Sequence, residues 1–373
     1  MKRIVMLYAD AGGGHRSAAD AIAMGLRMLY NDRYEIRYVN GFKRLPSLLR
    51  NADTDYPMWV NYARVLYALG FHASNGRRRV AAIRKAMESI SDPVADELVR
   101  SEPASVYVSC HPIYNGAIPQ AIKRQGVDSK FVNVVTDLVT GHVAHYVPYV
   151  DQCIVPTEEA REEAIENLVP PEKVSVTGQP VWPDFRTRMG TRTATREQLG
   201  LNDTTPVVLL MGGGDGMGAL GVTGREIAFS NLPLQLVVVC GRNQNVKRDL
   251  EFINPRVPMK VLGFVNNIPE LMGAADILVS KAGPGTIAEA FIAGLPILLY
   301  DAVPGQEEGN VNYVTNRGAG AWCPIFPSAV VKQLKLLLAD PQRLSNMRQA
   351  SSKLAKPDSA LDIARIVAHF AGD

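Results

Sequence analysis

The strongest constraint on the fold of this chain is an alternation of short apolar strands with helical segments, which occurs twice. In the first half the predicted strands are residues 3–8, 34–39, 105–109, 131–135 and 151–155. In the second half they are residues 206–211, 234–240, 259–262, 276–279 and 296–300. Short apolar strands separated by helices form parallel sheets that are covered on both faces. The sequence therefore predicts an α/β protein with two Rossmann-like, doubly wound domains that face each other across a cleft.

A polar stretch around residues 180–200, which contains two prolines, separates the two series and is interpreted as a linker. We therefore expect a first domain over residues 1–185 and a second domain over residues 200–357. Residues 358–373 are expected to form a C-terminal helix that packs back on the first domain. Doubly wound domains bind ligands beyond the carboxyl ends of their strands, so the turns at those ends are the first candidates for a site.

Composition excludes several classes of protein. The net charge is only +3 over 373 residues, so the whole chain is not a polycation that binds nucleic acid. Cysteines 110, 153, 240 and 323 lie far apart without a C-x-x-C pair, which argues against a disulfide scaffold or a zinc ribbon. No apolar run approaches the ~18–20 residues that span a bilayer, and the N-terminus opens directly on a strand. These features predict a cytoplasmic protein that is soluble or peripheral on a membrane.

Positive charge is concentrated in residues 27–86, which hold twelve Lys or Arg against four Asp or Glu. Arg77, Arg78 and Arg79 are consecutive, and apolar residues such as Trp59 are interleaved with the basic ones. Such a mixture predicts contact with an anionic membrane surface, here the inner face of the cell membrane. The alternative is an ordinary solvated helix accompanied by core residues, Trp59 among them.

The first of three glycine-rich turns, Gly12-Gly13-Gly14-His15, joins strand 3–8 to a helix. Glycines let backbone amides approach a ligand closely, and a helix N-terminus adds partial positive charge. The turn is neither a Walker A loop nor a G-x-G-x-x-G fingerprint. It predicts an approach site for an anionic group, with an imidazole that acts either in catalysis or as a helix cap.

The second turn, residues 212–218, follows the first strand of the second half and is similar to a dinucleotide fingerprint. The next strand, however, ends at Val239-Cys240-Gly241-Arg242 without the acidic residue that would bind a ribose. NAD is therefore not expected as a cofactor.

The third turn is the most informative, because one continuous stretch offers groups for a phosphate, a ribose and a sugar in order. After a strand that ends at Lys281, the open amides of Gly285 and Thr286 and the Thr286 hydroxyl suit a diphosphate. Glu289, one helical turn later, can accept hydrogen bonds from ribose hydroxyls. Polar groups suited to a hexose follow the next strand at Gln306, Glu307 and Asn310. The alternative is a plain strand–turn–helix with surface carboxylates.

Other polar residues are weaker candidates. Residues 53–55 spell a metal-binding DxD sequence, but no apolar strand precedes them, so neither a metal nor another cofactor is expected. His111 opens another strand-end loop, where it either faces the cleft or only forms hydrogen bonds within the loop. His142 and His145 have i,i+3 spacing without an evident third metal ligand, and are interpreted as loop residues near the acceptor.

Five stretches carry a resemblance to a known family: GGGHRSAADAI, VVTDL, VTGQPVWPDF, KAGPGTIAEAFIAGLPIL and PGQEEGNVNYV. They resemble the monogalactosyldiacylglycerol synthase group of the family 28 glycosyltransferases over residues 4–322, most specifically over residues 280–314. The resemblance implies the GT-B fold, with the lipid acceptor in the domain 1–185 and a UDP-sugar in the domain 200–357. It also implies inversion at the anomeric carbon and the lack of a DxD metal site.

The resemblance further implies roles for single residues. Gly213 and Gly214 would face the donor diphosphate opposite the amides of the third turn. The backbone around Phe264 and Val265 would read the uracil edge, with Phe264 as an apolar wall. His15 matches the glycine-loop histidine to which the family assigns an essential role.

An inverting transfer needs one group that takes the proton of the acceptor hydroxyl and others that stabilise the leaving diphosphate. A neutral imidazole suits the first need near pH 7, and His15 follows the first strand on the side of the expected cleft. Asp137, after strand 131–135, is the second candidate for the base, or orients His15. The third possibility is that His15 only caps its helix.

The leading hypothesis is therefore an enzyme that transfers a hexose, galactose in preference to glucose, from a UDP-sugar to the hydroxyl of 1,2-diacylglycerol at an anionic membrane surface. Two alternatives stay open. One is GlcNAc transfer to the polyprenyl-diphosphate muramyl lipid of peptidoglycan, whose phosphates the Gly12–Gly14 turn could bind. The other is a sugar-nucleotide-binding protein without catalysis. Nucleic acid is not expected as a partner.

Overall fold

The computed structural model describes residues 1–10, 13–47, 50–51, 63–324 and 327–373 of the chain. These residues form two compact units. The first unit comprises Met1–Pro183, Pro304–Gln306 and Asp358–Asp373. The second unit comprises Asp184–Val303 and Glu307–Pro357. The last segment of the chain therefore belongs to the unit that contains the first segment.

The first unit is built on a parallel sheet with the strand order β2-β1-β3-β4-β5-β6. The strands are β1 Lys2–Tyr8, β2 Tyr34–Asn40, β3 Val106–Ser109, β4 Lys130–Val134, β5 Gln152–Val155 and β6 Val174–Val176. The helices are α1 Gly14–Tyr30, α2 Arg64–Ser74, α3 Arg77–Ser101, α4 Ala117–Gln125, α5 Glu158–Glu166 and, at the end of the chain, α15 Ser359–Phe370. The strand order reverses between β1 and β3, and their carboxyl ends therefore flank the switch point at which such sheets bind ligands.

Both faces of this sheet are buried, which explains why its strands are nearly continuous apolar runs. Val5 and Leu7 of β1 pack on the face that α3, α4 and α5 cover, whereas Ile4 and Met6 pack on the face that α1 and α15 cover. Gly25 lets α1 and α15 approach closely, since a Cβ there would lie 2.8 Å from the carbonyl oxygen of Ala360. Helix α15 is therefore part of the core of the first unit.

The second unit has a parallel sheet with the strand order β12-β11-β10-β7-β8-β9. The strands are β7 Val207–Met211, β8 Gln235–Val239, β9 Met259–Leu262, β10 Ile277–Lys281, β11 Ile297–Asp301 and β12 Gly320–Trp322. The helices are α6 Phe185–Arg188, α7 Arg192–Gln198, α8 Leu220–Ala228, α9 Gln244–Glu251, α10 Ile268–Ala274, α11 Pro284–Ala293, α12 Glu308–Asn316, α13 Pro327–Ala339 and α14 Pro341–Lys353. The strand order reverses between β7 and β10, so the second and third glycine-rich turns flank the switch point of this sheet.

The interpretation of residues 180–200 as a linker is wrong from Asp184 onward. Helices α6 and α7 belong to the second unit, where both pack against α10. Arg196 of α7 is fully buried, and it donates hydrogen bonds to the carbonyl oxygens of Ala274 and Asp203. Buried hydrogen bonds, which hydropathy does not register, thus order a segment with a polar composition.

Asp276, which directly precedes β10, is the centre of this buried polar cluster. Its carboxylate is 2.8 Å from Arg192, 2.6 Å from Arg196 and 2.7 Å from Arg348 of α14. Burial raises the pKa of Asp276, but the amide of Val207 and the three arginines lower it, and the net direction is downward. One ionised carboxylate therefore ties α7, α14 and β7 to the sheet of the second unit.

Candidate active sites of the two units

His15 lies in the first turn of α1, at the switch point of the first sheet. Its Nδ1 atom is 2.8 Å from the carbonyl oxygen of Cys110, which follows β3, and 2.8 Å from Oγ1 of Thr136, which follows β4. The N-cap of α1 is Gly13, and within the described chain the His15 ring forms no hydrogen bond to an amide of α1. His15 therefore bonds to the neighbouring strand ends rather than capping its helix.

The partners of His15 determine which ring nitrogen carries the proton. The carbonyl oxygen of Cys110 can only accept a hydrogen bond, so Nδ1 of His15 is assigned the proton and donates it. In the neutral ring the lone pair is then on Nε2. Burial lowers the pKa of His15, and although the Asp137 carboxylate raises it, the net direction is downward. His15 is therefore a neutral imidazole with a basic Nε2 at pH 7.

His111 packs edge-on against His15, with the two ring centroids 4.7 Å apart. Its Nδ1 accepts a hydrogen bond from the amide of Ile113, which assigns its proton to Nε2. Burial lowers the pKa of His111 well below its ordinary value, and the neighbouring His15 and His145 lower it further. His111 thus forms a hydrogen bond within its own loop and at the same time provides a neutral wall beside His15.

Asp137 directly follows Thr136, and its side chain is buried. Its Oδ2 is 3.2 Å from Nε2 of His145, and its Oδ1 accepts a 3.0 Å hydrogen bond from Gln306, which belongs to the same unit. Burial by itself raises the pKa of Asp137, but the hydrogen bonds from His145 and Gln306 lower it, and the net direction is downward. The carboxyl group is therefore ionised at pH 7, with both oxygens accepting hydrogen bonds.

The structure buries His145 against Asp137, whereas the sequence pattern places it only in a loop. The carbonyl oxygen of His145 accepts hydrogen bonds from Asn133, at 2.8 Å, and Asn115, at 3.1 Å, which fix its backbone. Its Nδ1 is buried and has no hydrogen-bond partner among the described residues. Asn133 is a polar residue inside the apolar strand β4, and this is the signal in the sequence that could have located the network.

His142 has partners of its own. Its Nε2 is 3.0 Å from the hydroxyl of Ser74 in α2, its Nδ1 accepts a hydrogen bond from Ala144, and burial lowers its pKa to about 4. His142 and His145 therefore act separately. In the described ranges, no group of three or more His, Cys, Asp or Glu side chains is arranged to hold a metal ion.

Of the residues assigned to the acceptor, Gly12 and Trp59 lie outside the described residues, as does the DxD sequence at 53–55. Gly13 has a left-handed φ of +79°. Among the described residues, nothing lies within 4 Å of a Cβ built on Gly13 or Gly14. The turn before His15 therefore leaves open space in front of the N-terminus of α1.

Part of the basic window forms an exposed surface on the first unit. Arg77, Arg78 and Arg79 are exposed in the first turn of α3. Three apolar residues of α2 are also exposed: Val65 at 72%, Leu66 at 63% and Leu69 at 61%. Within the part of the chain that the structure describes, no helix has the length and apolar character needed to cross a membrane.

In the second unit, the glycine-rich turn after β7 packs tightly against the turn after β8. A Cβ at Gly216 would lie 2.1 Å from the carbonyl oxygen of Cys240, and a Cβ at Gly241 would lie 2.3 Å from that of Gly214. Gly213, with a φ of +73°, precedes Gly214 at the beginning of the turn. Close packing of two turns therefore explains part of this glycine content independently of any ligand.

The third turn leads directly into α11, whose N-cap is Gly283 and whose first residue is Pro284. The amides of Gly285 and Thr286 lie in the first turn, where no intrahelical acceptor exists, and the N-cap provides no side-chain hydrogen bond. Among the described residues, nothing lies within 4 Å of a Cβ built on Gly285. The two amides therefore have no intrahelical acceptor, and together with the positive end of the helix dipole they suit an anion.

Glu289 is half-buried on the next turn of α11. Burial raises its pKa to about 7, and no described residue is hydrogen-bonded or ion-paired to its carboxyl group. A glutamate in water has a pKa near 4.3, so removal from water has made ionisation substantially harder. Glu289 is therefore a desolvated carboxyl group one turn beyond the open amides, where a ligand's hydroxyls could become its partners.

Glu307 and Asn310 are buried inside the second unit. Oε1 of Glu307 pairs with Nζ of Lys281, and Oε2 accepts a 2.9 Å hydrogen bond from the amide of Val303. Nδ2 of Asn310 donates to the carbonyl oxygen of Ala282 at 2.9 Å. These bonds tie the turn after β11 to the turn after β10, and a role of Glu307 and Asn310 in sugar binding stays a prediction.

Phe264 follows β9 and is largely exposed, while the next residue, Val265, is half-buried. The guanidinium carbon of Arg242 lies 4.6 Å from the centroid of the Phe264 ring. Nη1 of Arg242 is also 3.0 Å from Oδ1 of Asp215. In the sequence, Arg242 only follows a strand that lacks an acidic residue at its end, whereas the fold places it beside Phe264.

Two family models match the chain. The model for monogalactosyldiacylglycerol (MGDG) synthase matches residues 15–181, and the model for the C-terminal domain of glycosyltransferase family 28 matches residues 207–363. The first match contains His15 and Asp137. The second contains the two glycine-rich turns at the switch point of the second sheet.

Curated relatives extend the similarity over nearly the whole chain. The chloroplastic MGDG synthase of Spinacia oleracea is 34% identical, over 97% of this chain and 71% of that protein. The chloroplastic MGDG synthase 3 of Arabidopsis thaliana is 32% identical, over 99% of this chain and 82% of that protein. Among solved structures, Acinetobacter baumannii MurG superposes with a TM-score of 0.63 at 16% identity, covering 98% of this chain and 99% of that one. The GT-B fold expected from the sequence is thereby confirmed.

The expected location in the cytoplasm, at the inner face of the cell membrane, is contradicted by these relatives. Both synthases are named as chloroplastic proteins and are therefore organellar. Strand and helix patterns carry no information on location, because cellular address signals are recognised separately from the fold. For this reason the expectation had no support in the folded units.

Proposed function

This chain belongs to the monogalactosyldiacylglycerol synthase family of glycosyltransferases, and from that premise we propose that it transfers galactose, in preference to glucose, from a UDP-sugar to the hydroxyl of 1,2-diacylglycerol. The proposed transfer inverts the anomeric carbon, and it needs a base for the acceptor and an anion-binding site for the donor. The observation that carries the proposal is the neutral His15, with its basic Nε2, beside the ionised Asp137.

His15 is proposed as the base. Its Nε2 accepts the proton of the diacylglycerol hydroxyl while that oxygen bonds to C1 of the hexose and the bond from C1 to the diphosphate oxygen breaks. UDP leaves as an anion, and the imidazolium then passes its proton to water. The hydrogen bond from Nδ1 to the Cys110 carbonyl supports this role, because it keeps the lone pair on Nε2.

Asp137 is the weaker candidate for the base. Both of its oxygens accept hydrogen bonds and its pKa is lowered, so the carboxylate has little affinity for a proton. Its negative charge raises the pKa of His15 and would stabilise the imidazolium that forms in the reaction. We therefore assign an electrostatic role to Asp137, with His145 and Gln306 holding its orientation.

The donor diphosphate is proposed to bind at the amides of Gly285 and Thr286, with Gly213 and Gly214 on its other side. This assignment is supported by the pairing of β7 with β10, which brings the two turns to the same switch point. The N-terminus of α11 would stabilise the negative charge that develops on the leaving UDP.

The acceptor is a membrane lipid, and the first unit is proposed to meet an anionic membrane surface. Support comes from the exposed apolar side chains of α2, Val65, Leu66 and Leu69, and from the three exposed arginines at the start of α3. Apolar residues that enter the boundary of the head groups, together with basic residues that attract anionic lipids, are the usual components of such a surface.

The test offers the purified chain UDP-galactose or UDP-glucose, each with 1,2-diacylglycerol in zwitterionic or anionic vesicles. We expect a monogalactosyl lipid, formed faster on anionic vesicles, whose β linkage NMR distinguishes from the α linkage of the donor. A product from UDP-glucose alone would correct the donor, and an α linkage would reject inversion. If neither donor gives a glycolipid, the proposal is rejected. In that case, GlcNAc transfer to a polyprenyl-diphosphate lipid would support the first alternative, and UDP binding without transfer would support the second.

Nucleotide affinity is expected to depend on pH through Glu289. Ribose hydroxyls donate to an ionised carboxylate, so binding weakens as a carboxyl group with a pKa of about 7 gains its proton. The affinity for UDP at pH 6 is therefore expected to be about tenfold lower than at pH 8, measured by calorimetry. The Glu289→Gln variant, which cannot titrate, corrects for the titration of UDP itself. If the UDP affinities of wild type and Glu289→Gln depend on pH to the same extent, Glu289 does not bind the ribose.

A further inference from the structure

Arg242 stands at the switch point of the second sheet with its guanidinium group only partly used. Its backbone amide donates to the carbonyl oxygen of Gly214, in the glycine-rich turn after β7. Its side chain is 58% exposed and bonds to Asp215 at 3.0 Å through Nη1. A guanidinium has five N–H donors, and no second acceptor for them exists among the described residues. Most of its hydrogen-bonding capacity is therefore directed to solvent.

The backbone holds Arg242 firmly against the glycine-rich turn. Gly241 has a φ of +56°, and a Cβ there would lie 2.3 Å from the carbonyl oxygen of Gly214. A Cβ on Gly214 would in turn lie 3.4 Å from Nη1 of Arg242. The guanidinium therefore lies beside the backbone of Gly214, the same turn to which the donor diphosphate is assigned.

The aromatic contact of Arg242 points to the same ligand. The guanidinium covers one face of Phe264, with its central carbon 4.6 Å from the ring centroid, and this ring is 59% exposed. A partly exposed cation–π contact and an exposed ion pair each contribute little to stability. Neither contact is strong enough to keep the guanidinium from a doubly charged ligand, for which its planar donor fork is well suited.

We propose that Arg242 is a donor-binding residue that bonds to the diphosphate of the UDP-sugar, reaching it from its position between Phe264 and Gly214. The inference rests on the proposed function, since it takes a UDP-sugar as the donor. It adds a cation to a site for which the sequence predicts only backbone amides and the Thr286 hydroxyl, and that cation would neutralise charge on the leaving UDP.

The test compares wild type, Arg242→Ala and Arg242→Lys for binding of UDP and of uridine by calorimetry. We expect Arg242→Ala to weaken UDP at least about tenfold and to leave uridine within about twofold, because only UDP carries the diphosphate. Arg242→Lys, which keeps the charge but loses the fork, is expected to lie between the two. The exposed Arg225 of α8 provides the matched control, and Arg225→Ala is expected to bind both ligands as wild type does.

Each other outcome has a definite meaning. Equal UDP affinity in Arg242→Ala and wild type overturns the inference, and so does an equal loss for UDP and uridine, which would assign Arg242 to the base. An unchanged thermal unfolding midpoint in Arg242→Ala excludes a loss of fold as the cause of weak binding. If the wild-type chain transfers hexose and binds UDP while Arg242→Ala is normal, only this inference fails. If the wild-type chain binds no UDP, the proposed function fails with it.

Discussion

The His15→Ala variant is expected to transfer hexose about 10²- to 10⁴-fold more slowly than the wild-type enzyme, which is the usual contribution of a general base. The physical reason is that the variant lacks Nε2 of His15. The hydrogen bond from Nδ1 to the Cys110 carbonyl keeps a lone pair on that atom, and the lone pair accepts the proton. Steady-state turnover with saturating UDP-sugar measures the effect, and calorimetry with UDP is expected to show unchanged affinity. The residues proposed to bind the donor diphosphate lie in the second unit, whereas His15 lies in the first.

Two further variants distinguish His15 from its neighbours. His369→Ala, at an exposed position of α15, is the matched control and is expected to keep wild-type turnover. Asp137→Asn keeps the size of the side chain but removes the charge that raises the pKa of His15. It is therefore expected to move the acidic limb of the pH–rate profile to lower pH, in addition to slowing turnover. If His15→Ala retains turnover and Asp137→Asn alone abolishes it, the carboxylate is the base and the assignment is wrong.

The Asp276→Ala variant is expected to lose about 3–5 kcal/mol from the free energy of unfolding of the second unit, because it leaves a buried charge without its partner. Arg196 is fully buried and lies 2.6 Å from the Asp276 carboxylate, and Arg192 and Arg348 also pair with it. Urea titration followed by hydrogen exchange of peptides from β7 and β10 measures this unit directly.

The same carboxylate predicts the direction of the dependence of stability on pH. The pKa of Asp276 is lowered in the folded chain, so its stabilising contribution is present above the ordinary aspartate pKa near 3.9 and is lost as the pH falls through the lowered value. Glu251→Ala breaks an exposed pair with Lys247 in the same unit and is the control, with an expected loss of less than about 1 kcal/mol. A loss for Asp276→Ala no larger than this would show that the cluster does not hold the unit together.

The parallel sheets were predictable because burial on both faces makes each strand a short apolar run. The ten strands expected from the sequence agree with β1–β5 and β7–β11 to within one or two residues. The strands that were missed, β6 and β12, are three residues each, too short for a period of two to be visible. Helix α3 was missed for a different reason, since its basic beginning and Pro93 in its interior interrupt the apolar pattern.

The candidate sites were predictable only as far as strand-end turns identify them. Such turns mark His15, Asp137 and the amides at Gly285, because a parallel sheet brings its carboxyl ends to one edge. Sequence spacing could not distinguish an exposed acid from a buried one, and Glu307 therefore looked equivalent to Glu289. The fold separates them, because Glu307 pairs with Lys281 while Glu289 has no such partner among the described residues.

Helix α15 has a consequence for how the chain is made. Its buried residues, Ile363, Ala364 and Val367 among them, complete the face of the first sheet on which α1 lies. The ribosome releases β1 and α1 first and α15 only after the whole second unit, so the part of this face that α15 covers stays exposed during most of synthesis. The unit that is made first is therefore the unit that is finished last, and it is the one in greater need of a chaperone.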